Sequence, residues 1–116
     1  MDYETASADD IDSVVPEEYG SMHFFRDALG CEGLGVTLLE LESGAKGKPH
    51  DHAGDDHEEV YLVVDGELTI TLGDEDDHTE EVTLTTGEAI RVGSETHRQL
   101  HNRGETRVRA VLSGAP

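Results

Sequence analysis

At 116 residues the chain has the length of one domain and can bury about two-thirds of the surface its unfolded form exposes, so no second domain is needed. Its 27 Asp and Glu against 8 Lys and Arg give a formal net charge of −19. Such a field repels phosphate backbones and anionic lipid, which argues against nucleic-acid and membrane partners.

Lys46 and Lys48 are the only lysines, and acidic residues fill nearly every turn, a surface composition similar to that of proteins from salt-loving organisms. The single cysteine, Cys31, rules out an intrachain disulfide and reads as a small core residue in a chain compatible with a reducing compartment. The first residues carry neither a basic end nor an apolar stretch, so no signal peptide or anchor is expected and the cytoplasm is the expected location.

In chain order, residues 1–20 read as an N-terminal extension. Its first nine residues are polar and frayed, and Ile11 with Val14 and Val15 offer a possible edge strand. Residues 21–30 predict a short helix, with Ser21 as cap, Met22, Phe25 and Leu29 on one face, and Gly30 ending it. His23 on that helix reads as structural. From Leu34 onward seven short apolar segments follow at close intervals, each bounded by Gly, Asp or Asn. They predict an all-β sandwich or barrel over 21–116, made of antiparallel hairpins. Leu68, Ile70 and Leu72 alternate with Glu67, Thr69 and Thr71, which predicts one buried and one wet face. Residues 60–64, "VYLVV", are apolar on both faces, so their outer side needs a cover, and a homodimer is the expected one. His78, in "DEDDHTE", reads as solvated.

The chemistry concentrates in "KPHDHAGDDHEEVYLVVDGE", residues 48–67. His50 and His52 are two apart, so on an extended backbone both imidazoles leave the same face and can offer neutral nitrogens to one ion. His57, Glu59 and Tyr61 share one face of the following strand. If the two strands pair with these faces aligned, His50, His52 and Glu59 converge, with His57 close by as candidate fourth donor and Tyr61 lining the cavity or closing it as a core tyrosine.

These residues resemble a small single-domain cupin. The family's first motif, G-x5-H-x-H-x3-4-E-x6-G, falls on Gly44, His50, His52, Glu59 and Gly66, with six residues rather than three or four between His52 and Glu59. The second, G-x5-P-x-G-x2-H-x3-N, runs from Gly87 to Asn102 at full spacing. Gly93 and Glu95 replace its Pro and second Gly, and Arg98 stands at the position of its histidine. The resemblance implies a conical antiparallel β-barrel (a double-stranded β-helix or jelly roll). It also implies a divalent transition metal (iron, manganese, nickel, zinc or copper) and chemistry of the dioxygenase, isomerase or decarboxylase kind, or ligand binding alone.

The facing of Arg98 follows from the residues themselves. In "HRQLHN" only Leu100 is apolar, and burying it draws Arg98 and Asn102 inward and leaves His97, Gln99 and His101 outside. A bulge at 93–95 would instead turn His97 inward. A guanidinium has no lone pair for a metal, so Arg98 is expected either to clamp a carboxylate of a small anionic ligand or to pair with an interior acid such as Glu59. The sequence carries no Ser or Cys nucleophile arrangement and no phosphate-binding glycine loop. Two functions remain, a metal-dependent oxidoreductase or isomerase and a non-catalytic ligand-binding or sensor module.

Overall fold

A computed structural model of the chain describes residues 1–73 and 79–116; His78 lies outside them. The chain forms β1 (Gly20–Phe24), α1 (Arg26–Leu29), β2 (Gly35–Leu41), β3 (Glu58–Asp65), β4 (Glu67–Leu72), β5 (Glu80–Thr85), β6 (Ala89–Val92), β7 (Arg98–His101) and β8 (Val108–Ala115). All seven predicted strands are present, and they are antiparallel. They build a five-stranded sheet in the order β1-β2-β8-β3-β6 and a three-stranded sheet in the order β5-β4-β7.

The helix expected over 21–30 is half strand. Residues Gly20–Phe24 pair with β2, Met22 opposite Leu39 and Phe24 opposite Thr37, and only Arg26–Leu29 is helical. Met22 and Phe24 are two apart as well as close to a helical face, and pairing with an open sheet edge won over local propensity. Ser21 does not cap; its hydroxyl reaches Glu40 Oε1 at 3.5 Å. Gly30 ends the helix in the left-handed region, as expected. The edge strand is β1 rather than residues 11–15, which are tied to it by Val14 N–H donating to the Met22 carbonyl and by the His23 Nδ1 contact to the Ile11 carbonyl at 2.7 Å. Cys31 is only half-buried, just past α1, and is not part of the core.

The core lies between the sheets. Leu39 and Leu41, Tyr61 and Val63, and Val108, Ala110 and Leu112 face inward from the large sheet, against Leu68, Ile70, Leu84 and Leu100 from the small one. The outer face of β4 is drier than its alternation predicts: Thr69 is buried, its hydroxyl 3.1 Å from that of Thr83. The chain passes from one sheet to the other at Gly66. Its φ is +95° there, and a Cβ would lie 3.0 Å from the Arg107 carbonyl oxygen.

Candidate metal centre

Residues 44–52 run along the free edge of β7 and extend the small sheet. Gly47 N–H donates to the Leu100 carbonyl at 2.8 Å, and His50 and Arg98 exchange both backbone hydrogen bonds. Lys46 stands opposite His101, and His50 opposite Arg98. Residues 46–50, five of them, thus span four on β7, 98–101, an irregularity of the β-bulge kind. Its effect is decisive: Lys46 lies opposite the outward His101, while His50 lies opposite the buried Arg98 and faces the interior.

Glu59 arrives from β3, opposite Gly114 of β8, where a Cβ would sit 3.4 Å from the Glu59 Cγ; larger side chains would crowd the carboxylate. His52 Nε2 is 3.0 Å and His50 Nε2 3.6 Å from the same Glu59 Oε1. The donor atoms of His50, His52 and Glu59 all lie within 4.8 Å of one another. The two rings are nearly perpendicular, with centroids 5.2 Å apart. The far nitrogens are also engaged, His50 Nδ1 3.1 Å from the Lys48 carbonyl oxygen and His52 Nδ1 3.0 Å from Asp55 Oδ2. With Nδ1–H donating in each case, both Nε2 lone pairs point at the carboxylate. Bare, those three electron-rich atoms repel one another, and a proton or a metal ion relieves them. Two imidazoles and one carboxylate, oriented in this way, fit a divalent transition metal with positions left open.

The remaining predicted residues divide. Tyr61 is fully buried, and its hydroxyl donates to Glu59 Oε1 at 2.5 Å, so it orients the carboxylate rather than lining the cavity. Burial and the Glu59 contact push the Tyr61 hydroxyl far above its ordinary value. His57 stacks behind His52 at 6.3 Å and groups with His52 and Asp55 rather than with His50 and Glu59. Arg98 is fully buried with Asn102 and Leu100, while His97, Gln99 and His101 are partly exposed, the inward and outward sets that Leu100 dictated. His97 lies 3.8 Å from Asp51. Arg98 makes no ion pair with Glu59 or any other acid among the described residues. Its Nη2 donates to the carbonyls of Val92 and Gly93, and Nε and Nη1 have no partner there.

Burial, which alone would raise the Glu59 pKa, is outweighed by contacts from His50 and Tyr61 and by the charges of His52 and Arg98, and the carboxyl is lowered to about 2. Of the two imidazoles His52 lies closer to the shared oxygen, 3.0 Å against 3.6 Å for His50. The Glu59 contact in turn raises the His50 pKa against the opposing effect of burial. Asp55 was not anticipated from the sequence; its position three residues after His52, in a turn closed by Asp55 N–H to the His52 carbonyl, was the available sign.

Above the three donors opens a cavity of about 380 Å³. Its walls are Met22 and Phe24 of β1, Leu39 and Leu41 of β2, Leu112 of β8, Leu100 of β7 and Val15 of the N-terminal extension. Arg98 and Tyr61 do not line it.

No curated protein matches the chain. Among solved structures it is similar to a cupin protein from Bacteroides fragilis, with a TM-score of 0.75 and 21% identity over 99% of this chain and 85% of that one. It is also similar to oxalate oxidase (TM-score 0.76, 18% identity, 96% of this chain and 58% of that one). Oxalate decarboxylase from Bacillus subtilis, a protein with Mn(II) centres, gives a TM-score of 0.77 and 17% identity over 93% of this chain and 28% of its own. At these identities the likeness is one of fold. The family described as "Cupin domain" matches residues 37–114, and with its two antiparallel sheets and inward-facing histidines the chain belongs to the cupin family.

Proposed function

We propose that this cupin holds one divalent transition metal on His50, His52 and Glu59 and presents a small organic molecule to it from the adjoining cavity. The observation that carries this reading is the pair of Nε2 atoms directed at one oxygen of Glu59, each imidazole fixed from behind by an acceptor on Nδ1. Manganese leads the candidates iron, manganese, nickel, zinc and copper, through the Mn(II) centres of the similarly folded decarboxylase. When bound, such a metal supplies Lewis acidity or oxygen activation for oxidoreductase (dioxygenase-like) or isomerase chemistry. The chain's own part is to orient the donors through Tyr61, Asp55 and the Lys48 carbonyl, and to keep water from the cavity with its apolar walls. Metal content per chain tests the proposal: it should approach one in the native protein and fall to background in the His50→Ala/His52→Ala double variant. Unchanged content in that variant would place the metal elsewhere.

A second reading, a non-catalytic binding or sensor module with a weak or structural metal, draws on Arg98. A buried cation stands where the resemblance puts a fourth donor, and it opposes a second positive charge nearby.

We further propose that the partner is a second copy, bound through the outer face of the five-stranded sheet. Leu38, Val111, Leu62 and Ala89 stand in one register row across β2, β8, β3 and β6, beside Val60 and Val64, which are 37% and 41% exposed. The charges of this face, Glu40, Glu58 and Asp65 against Arg91 and Arg109, leave a single net negative charge on a chain of net −19, so two copies repel little there. A dimer burying about 1,200–2,000 Å² is expected by light scattering, with Leu62→Glu converting it to monomer. A native monomer at micromolar concentration in both low and high salt would refute it.

A further inference from the structure

The character of the cavity restricts what can reach the metal donors. Its walls are hydrocarbon apart from Thr37, the edge of the 46–48 segment and the donors themselves. No arginine lines it. Lys46 and Lys48 line it too, but both are exposed and also line an open groove on the far side of the same segment, and Lys46 pairs opposite the outward His101. A volume of about 380 Å³ is the liquid share of about a dozen waters. A two-carbon dianion would leave most of that space as water against Leu, Met and Phe, and would bring a second carboxylate to a surface with no buried cation to receive it.

We infer that the ligand is a monocarboxylic acid with a hydrocarbon or aromatic body of about six to ten carbons. It enters carboxylate first toward His50, His52 and Glu59 and lays its body against Met22, Phe24, Leu39, Leu41 and Leu112. The inference rests on the metal reading for the carboxylate end and on the cavity walls alone for the body, and the two are separable. Phe24, half exposed at 51%, stands at the outer end of β1, where the far end of such a body would emerge. Val15 brings the N-terminal extension to the same wall.

The test is a chain-length series, acetate, butyrate, hexanoate and octanoate, with oxalate alongside, titrated calorimetrically into metal-free protein and into protein loaded with Mn²⁺ or Zn²⁺. Affinity should rise about threefold to fourfold per methylene, as apolar burial dictates, and oxalate should bind more weakly than hexanoate at equal metal loading. Met22→Glu, which puts a charge on the wall without touching the donors, should abolish the rise. His50→Ala/His52→Ala should remove the metal-dependent part of the affinity and leave the rise per methylene in place. If the native chain takes up no metal but the rise persists, the metal reading and the placing of the carboxylate fail, and the inference for the hydrocarbon body stands. A flat series, oxalate bound more tightly than octanoate, or a rise unaffected by Met22→Glu would overturn the inference whatever the metal does.

Discussion

Glu59→Gln in metal-free protein isolates the charge at the centre of the site while keeping an oxygen for the Tyr61 hydroxyl. A carboxyl lowered from 4.5 to about 2 on folding contributes about 3 kcal/mol of stability where it is ionised, at roughly 1.4 kcal/mol per pKa unit. The sign is fixed by the direction of the shift. Because the folded pKa is depressed, this contribution is present above pH 4.5 and is lost as pH falls toward 2. His50 sets the opposite limb: its pKa is raised by Glu59, so its share is full below 6.5 and disappears as pH rises through the folded value. The two limbs share the His50–Glu59 contact, so they are not added, and the part of the Glu59 shift that comes from Tyr61 and Arg98 persists above the folded His50 pKa. The difference in unfolding free energy between wild type and Glu59→Gln, measured by urea denaturation from pH 3 to 9, should therefore peak between about pH 4.5 and 6.5. Subtracting the two curves removes the background from the other acids. A difference that is flat across this range, or that climbs steadily to pH 9, would refute the reading of Glu59 and His50 as a charged pair.

Three further outcomes follow from the same geometry. Tyr61→Phe removes the hydrogen bond that holds Glu59, and metal affinity should fall about 10- to 100-fold with the fold intact by circular dichroism; unchanged affinity would make Tyr61 a core residue only. Arg98→His removes a buried cation and offers a donor where the cupin motif has one, so metal should bind about tenfold tighter or more, while looser binding would mean that Arg98 supports the site. With a net charge of −19, the melting temperature should climb from low salt to 1 M KCl as the Debye length shrinks to about 3 Å, and a flat or falling profile would contradict the charge argument.

The strands from Leu34 onward were legible because each carries period-two apolar residues between Gly, Asp or Asn, and local alternation survives into the structure wherever one face is buried. The inward turn of Arg98 was legible for the same reason, with Leu100 as its only apolar neighbour in the segment. The strand Gly20–Phe24 was not, because Met22, Phe25 and Leu29 also satisfy a helical period and the deciding partner, β2, lies some fifteen residues on. The facing of His50 depends on an irregular pairing with β7 that no spacing within 44–52 reveals, although the parity argument did bring His50 and His52 together with Glu59. His57 was drawn toward the site by strand parity, but β3 begins only at Glu58, so the parity did not extend to it. The apolar walls of the cavity come from β1, β2, β8 and the N-terminal extension, elements that meet only once both sheet orders are known.

The claim on which the functional account turns is that His50, His52 and Glu59 share one ion. Anomalous diffraction from crystals of protein loaded with Mn²⁺, or with Zn²⁺ and collected across its edge, tests it directly. A single peak is expected about 2.0–2.3 Å from His50 Nε2, His52 Nε2 and a Glu59 carboxylate oxygen. A peak between His52 Nδ1, Asp55 and His57, or no peak at full metal loading, would contradict it.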